Sequence, residues 1–240
     1  MRDLTRDMMA ALGLLTRLPV PMTGAPDPRG AWAWPVVGLV VGGLAALAGM
    51  AATALHLAPG VTAALMLAVA ALLTGGLHED GLADCADGFW GGRDKARRLE
   101  IMKDSRVGSY GVLALGIVLL ARWSALTALV GGGHWAALLA AEALSRAAMA
   151  AVMAGLPNAR GTGLAASHGA PPVQVAVQAA GLAGMLALGL TGRAALPMML
   201  AAALGTGLVA LTARAKIGGQ TGDVLGAAQQ VALVAALALA

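Results

Sequence analysis

The chain has 240 residues, 59% of them apolar and only 12% charged, and carries a formal charge of +4. Its mean hydropathy of +0.78 goes with uncharged runs near the roughly 20 residues that cross about 30 Å of hydrocarbon, which excludes an ordinary soluble domain. The runs do not alternate as a barrel requires, no basic stripe carries the aromatics of a nucleic-acid binder, and the lone Cys85 excludes an intramolecular disulfide.

At the N-terminus, Leu4, Met8, Ala11, Leu12 and Leu15 recur at helical spacing, with Arg2, Arg6 and Asp7 elsewhere on the wheel. Such a helix lies in the membrane interface or caps the bundle as a soluble amphipathic segment; the pattern suits both. Asp3, Arg6, Asp7 and Arg17 interrupt the apolar core of a secretory signal. A Pro- and Gly-rich turn over 19–30 leads to an uncharged span over 31–55. After a turn at 56–60 the chain returns over 61–77 and enters a charged window at 78–109. The next span, 110–130, carries Arg122, and 135–156 carries Glu142 and Arg146. A polar loop follows at 157–172, then a hairpin of spans over 173–191 and 194–213, a last polar loop at 214–223 and an apolar helix over 224–240. The expected fold is an all-α polytopic membrane bundle of about six or seven transmembrane helices plus the N-terminal interfacial helix. Residues 1–240 form one integral-membrane catalytic domain, with neither a repeat nor a linker.

Charge orients the chain. With the N-terminus inside, Arg2, Arg6, Arg17, Arg29, Arg93, Lys95, Arg97, Arg98, Lys103, Arg106, Arg160, Arg214 and Lys216 fall inside, and the outside turns hold only Arg193. The loops 78–109, 157–172 and 214–223 then share the cytoplasmic face of the membrane, as an active site built from separate loops requires.

Seven of the chain's 12 acidic residues and six of its 16 basic ones lie between 78 and 110. Asp80, Asp84 and Asp87, spaced by four and three, share one helical face if the second span continues into this window. Three such carboxylates repel one another unless a divalent cation joins them, and oxygen-only ligands favour Mg²⁺ or Mn²⁺ over zinc. Glu79 is a further acid beside them; a solvated acidic helix end is the plainer reading of the set. Lys103-Asp104-Ser105-Arg106 packs cation, carboxylate, hydroxyl and cation just before a span, the parts that phosphoryl transfer uses. Asp104 there completes a metal shell, accepts a proton, or forms a salt bridge to a neighbouring Arg. Gly218-Gly219-Gln220-Thr221-Gly222-Asp223 is a backbone cradle for phosphate or a simple helix cap, and Arg160-Gly161-Thr162-Gly163 has the same character. Within the membrane, Glu142 and Arg146 at i and i+4 satisfy each other, and Ser145-Arg146 lines the site from below.

On these motifs the sequence resembles the cobalamin synthase family of adenosylcobinamide-GDP ribazoletransferases. The residues that carry the likeness are Asp80-Gly81-Leu82-Ala83-Asp84 with Asp87-Gly88, the run Arg98 to Gly108, the run Gly219 to Ala227, and Leu15 to Pro21. Glu79 is not required by the family pattern and ranks below the three Asp. The logic is similar to that of CDP-alcohol phosphotransferases, whose longer Asp motif is absent in its own spacing.

The resemblance implies Mg²⁺-dependent transfer of cobinamide phosphate from adenosylcobinamide-GDP to α-ribazole or its 5′-phosphate, with release of GMP. It implies that Asp80, Asp84 and Asp87 hold the metal; Glu79 is a lesser candidate ligand by its position alone. Lys103 and Arg106 would neutralise charge on the transferred group and the departing GMP, Asp104 would orient or deprotonate the acceptor hydroxyl or complete the metal shell, and Asp223 with Gly219 and Thr221 of its loop would hold the acceptor or a second metal; Ser105, Arg146 and Arg160 are further candidate substrate-binding residues. A phospholipid-forming CDP-alcohol-type enzyme and a transporter are the alternatives. Transport fits poorly, since the charge sits at one face rather than at the midplane. Membrane lipid surrounds the chain, and a homo-oligomer is left open.

Overall fold

The computed structural model describes residues 4–21 and 27–240. Arg2, which enters the wheel and the charge count, Asp3, which interrupts the signal-like core, and the centre of the 19–30 turn lie outside the described residues.

All regular structure among the described residues is helical. Helix α1 (Leu4–Leu15) turns Asp7, Ala11 and Leu15 inward, and the Trp32 indole donates to Asp7 Oδ2 at 2.8 Å. Asp7 therefore faces the bundle, against the wheel reading, and α1 docks as its cap. A 3₁₀ segment (Pro28–Ala33) runs into α2 (Trp34–Ala54), whose Gly38 leaves no room for a Cβ against the backbone of Glu142. That contact lets α2 lie directly on α7 (Trp135–Gly155), the close approach that small residues allow in lipid. Helix α7 is buried nearly all round, as an apolar central helix should be.

The second apolar run does not continue into the acidic window as one helix. Helix α3 (Pro59–Thr74) stops at Gly75 and Gly76, both left-handed with φ of 66° and 69°. This conformation is open to glycine at little cost. The chain leaves at 89° as α4 (Leu77–Gly91). We read α3 as the apolar limb and α4, with four carboxylates, as the limb at the polar end of the bundle. Helix α5 (Lys95–Ile101) is N-capped by Asp94, and α6 (Ser109–Gly132) follows. A short helix α8 (Leu164–His168) closes the 157–172 loop. Helices α9 (Val173–Thr191), α10 (Ala195–Ile217) and α11 (Gly222–Leu237) complete the fold.

Four helical stretches are long and apolar enough to cross a membrane: Pro28–Ala54, Ser109–Gly132, Trp135–Gly155 and Val173–Ile217; the bent pair α3–α4 makes a fifth if counted as one. The protein is thus a multi-pass membrane bundle. The count differs from the expected six or seven because α3 and α11 have only 16 residues each and because 173–217 is one apolar stretch. That stretch folds back at Gly192 (φ 58°), so Ala180 of α9 and Thr206 of α10 line the same groove. Leu196, Leu200, Leu204, Leu208 and Leu211 form an exposed ridge along α10, a surface suited to lipid.

One buried polar chain crosses the bundle. Arg122 Nη1 donates to Glu79 Oε1 and to Gln230 Oε1, both at 2.9 Å. Gln230 Nε2 donates to Glu79 Oε1 and to Gln229 Oε1, and Gln229 Nε2 to Ser145 Oγ. Arg146 completes it with bonds to Ser145 Oγ and the Glu142 carboxylate. Two cations and two anions balance, so charge inside the bundle is paired. Glu142 and Arg146 satisfy each other as expected; the partner of Arg122 is Glu79.

Candidate active site

The site is built where α4 lies on α11. Gly81 makes the approach: a Cβ there would come within 2.7 Å of the Asp223 carbonyl oxygen, and one on Gly226 within 3.1 Å of the His78 carbonyl. The glycine of Asp80-Gly81-Leu82-Ala83-Asp84 is therefore a spacer that lets two carboxylate-bearing helices meet. Gly81→Ala is expected to part them and lower turnover by about 10²-fold, the scale of a 1 Å misplacement. Turnover measured on folded, membrane-inserted protein checks this; near-normal rates would show that the spacing is slack.

Asp80 and Asp223 line one recess together with Arg160. Arg160 Nη2 donates to Asp223 Oδ2 at 2.9 Å, and the Thr221 hydroxyl donates to the same oxygen at 3.1 Å. Thr221 also N-caps α11, which places Asp223 in the first turn, where the helix dipole favours an anion. Burial nonetheless raises the Asp223 pKa, against the pull of Arg160. Asp84, half-buried on α4, is pushed up to about 7, first by burial and then by the charges of Asp223 and Asp80. The repulsion expected of clustered carboxylates is present, with Asp223 as the main charged partner and Asp87 the weakest.

A pH dependence follows from Asp84. Its folded pKa of about 7 exceeds the ordinary 3.8, so the folded state keeps a proton that the unfolded chain has lost. The stability contribution falls as pH rises from 3.8 towards 7 and is level above that. Metal-free protein in detergent is expected to melt lower at pH 8 than at pH 6, and Asp84→Asn to flatten that difference. An unchanged slope in the variant would remove Asp84 as its source.

The 157–163 and 218–221 segments are tied by a two-bond bridge: Gln220 N–H donates to Pro157 O and Ala159 N–H to Gln220 O, each 2.8 Å. Gly219 sits against Pro157 with no space for a Cβ. Its glycine serves this loop contact, while Arg160 lines the recess itself and Thr221 reaches it through Asp223.

Other residues fall elsewhere. Asp87 accepts from the backbone N–H groups of Gly108 (2.7 Å) and Gly111 (2.9 Å), capping α6. Neither glycine leaves room for a Cβ beside its oxygens. Glu79 belongs to the buried chain with Arg122 and Gln230, while Asp80 beside it faces the recess. Arg146 is sealed by Glu142 and Ser145 and does not line the recess. Asp104 and Arg106 form an exposed two-oxygen pair, closest at 2.6 Å, in a second recess shared with Asp87. Arg106 holds the Asp104 carboxyl at about 2, which makes it a weak proton acceptor. Lys103 and Ser105 are exposed on the same loop. The loop ends are joined by Arg98, which donates to Lys216 O at 2.9 Å.

Sequence reasoning passed over His168, Trp34, Gln229 and Gln230. The adjacent glutamines in an otherwise apolar helix were a usable signal of a buried polar network.

The recess donors near Asp84 are carboxylate oxygens, chemistry that suits Mg²⁺ or Mn²⁺. Among the described residues, no three His, Cys, Asp or Glu side chains are gathered as a metal-holding group.

A model of the cobalamin-5-phosphate synthase family matches residues 7–240. The chain belongs to this family. Similar relatives are adenosylcobinamide-GDP ribazoletransferases of Bradyrhizobium diazoefficiens (44% identical), Mesorhizobium japonicum (43%) and Brucella ovis (42%). They match over 100%, 100% and 96% of this chain, and over 94% of each relative. No solved structure matches. As a cobalamin-5-phosphate synthase family member, the chain carries its Asp-rich helix, its Lys-Asp-Ser-Arg loop and the Asp223 loop at one end of a single bundle.

Proposed function

We propose that the chain is an adenosylcobinamide-GDP ribazoletransferase that works at the cytoplasmic face of the bacterial inner membrane. The full-length likeness to enzymes of that name supports this, and the site observation that carries it is the apposition of Asp80 on α4 with Asp223 and Arg160 across one recess, with Asp84 one turn further along α4 and close enough to feel the charges of both carboxylates. The acceptor hydroxyl of α-ribazole, or of its 5′-phosphate, attacks the phosphorus nearer the cobinamide. A new P–O bond forms, the P–O bond to GMP breaks, and the hydroxyl proton passes to Asp223.

Asp223 suits that task because burial raises its pKa and because Arg160 and Thr221 fix its orientation. Asp80 and Asp84 would hold Mg²⁺, or Mn²⁺ in its place, and the ion would neutralise charge on the diphosphate. Asp87 positions α4 against α6 through Gly108 and Gly111 rather than holding metal, and Glu79 serves the buried network. Lys103 and Arg106 would meet the oxygens of the transferred group and the departing GMP, with Asp104 orienting Arg106 and Ser105 beside them. Thr221 and Gly219 shape the acceptor side.

In this reading residues 1–240 act as one catalytic unit. Helices α9 and α10 cross separately, giving six or seven passes with α3 and α11 as the short ones. The polar loops 78–109, 157–172 and 214–223, which hold most of the chain's Lys and Arg, lie inside.

The deciding assay is GMP release from adenosylcobinamide-GDP by purified protein, dependent on both α-ribazole and Mg²⁺. Release of CMP from a CDP-activated lipid instead would assign the chain to the CDP-alcohol type. Substrate uptake into proteoliposomes without conversion would assign it to transport.

A further inference from the structure

The recess that holds Asp80 and Asp223 does not end at them. It continues past Arg160 into an apolar end walled by Leu15, Trp34, Met149, Met153 and Leu225, with His168 among them. His168 is 8% exposed, and neither ring nitrogen has a partner. Trp34 faces it with ring centroids 5.9 Å apart and planes tilted by 40°. Buried polar groups are nearly always paired, so a buried imidazole with both nitrogens free, on the wall of an open recess, points to a ligand atom. The whole recess, its acidic end included, has a volume of about 150 Å³, the size at which an engineered apolar cavity takes up a benzene ring.

We infer that this apolar end is the acceptor-base subsite, in which a flat aza-aromatic ring lies among Trp34, Met149 and Met153 while His168 hydrogen-bonds its free ring nitrogen. The inference rests on the ribazoletransferase reading and deepens it.

Polarity decides between the acceptor's base and the two purines of the donor, guanine and the adenine of the adenosyl group, which both carry several polar atoms along their edges. Guanine, on the donor, presents donors and acceptors along most of its edge, and each one buried without a partner costs roughly 1–3 kcal/mol. Besides its two soft thioethers and His168, the recess offers only the His78 and Thr162 side chains as neutral polar groups, too few to satisfy the edge of a purine. The benzimidazole of ribazole presents one free ring nitrogen, which His168 can satisfy by itself. Burial lowers the His168 pKa, so the ring is neutral near pH 7 and donates through one nitrogen. With the base at the apolar end, the ribose is directed back towards Arg160, Asp223 and Asp80, where its hydroxyl must react.

His168 is then a substrate-binding residue for the acceptor alone. The test uses the full chain in detergent or nanodiscs, with α-ribazole and adenosylcobinamide-GDP varied independently. His168→Leu, which has no donor, is expected to raise the KM for α-ribazole by about tenfold, the scale of one lost hydrogen bond, with the donor KM within twofold. Ala165→Leu, which adds volume on the same wall, is expected to act in the same direction and covers the case that the first variant misfolds.

Titration of α-ribazole without donor should also quench tryptophan fluorescence in the native protein, and Trp34→Phe should lose that signal. A rise in donor KM with acceptor KM unchanged would overturn the inference and give the subsite to the donor base. Unchanged kinetics in both variants would overturn it as well. Absence of any GMP release by the native protein would defeat the activity reading instead. The α-ribazole titration would then decide the subsite without it, quenching through Trp34 upholding it and no binding ending it.

Discussion

Asp84→Asn is expected to reduce GMP release by roughly 10³-fold or more while the protein still inserts and folds. Asparagine keeps the shape of the side chain and removes the charge that would hold Mg²⁺ against the diphosphate. The loss should not come from instability. Asp84 is pushed up to about 7 by burial and by Asp223 and Asp80, so at pH 8 its ionised form strains the metal-free fold and the neutral amide relieves that strain. The variant should therefore melt at least as high as the native protein at pH 8 without metal, and gain less from added Mg²⁺. Turnover, melting temperature and its Mg²⁺ dependence are the measurements. Near-normal turnover would end the metal assignment, and a large drop in melting temperature would make Asp84 a structural residue.

The second large effect lies inside the bundle. Arg122→Leu leaves the Glu79 carboxylate without the guanidinium 2.9 Å away, and breaking a buried pair from one side costs about 3–5 kcal/mol. Folded protein recovered in detergent should fall sharply. The double replacement Arg122→Leu with Glu79→Gln removes the stranded charge and keeps an acceptor for Gln230, so it should recover most of the loss. A cycle of the two singles and the double reads the coupling directly. Additive effects would mean that the ion pair is not what joins α4, α6 and α11 at this point.

Much of the site was legible because spacing acts locally. Asp80, Asp84 and Asp87 do share one helix, and the three polar loops do meet at one end of the bundle. Arg160 and Asp223, 63 positions apart, form the bonded pair that same-face loops allow. What the pattern could not show is direction. Neighbours on a helix point about 100° apart, so Asp80 faces the recess while Glu79 faces Arg122, and Asp87, one turn beyond Asp84, meets the start of α6. Gly75 and Gly76 hid the bend because an apolar run reads the same whether or not its helix stops. The Lys-Asp-Ser-Arg segment reads as one unit, yet Asp104 and Arg106 pair with each other in a recess of their own. His168 could not be singled out, because its meaning depends on an empty space bounded by α1, α2, α7 and α11.

Composition and period alone settle the class of this molecule, since a chain that is 59% apolar in long uncharged runs has helices in lipid as its only way to pair its backbone. Its motifs settle the family and the kind of chemistry, because phosphoryl transfer needs carboxylates and cations close together. Which carboxylate meets which cation was decided by packing. Glycine at position 81 sets how near α4 comes to α11, and the Glu79–Arg122 pair ties α4 to α6. Those contacts, together with the Gln230–Glu79 bond, join residues up to 151 positions apart, beyond the reach of any local pattern.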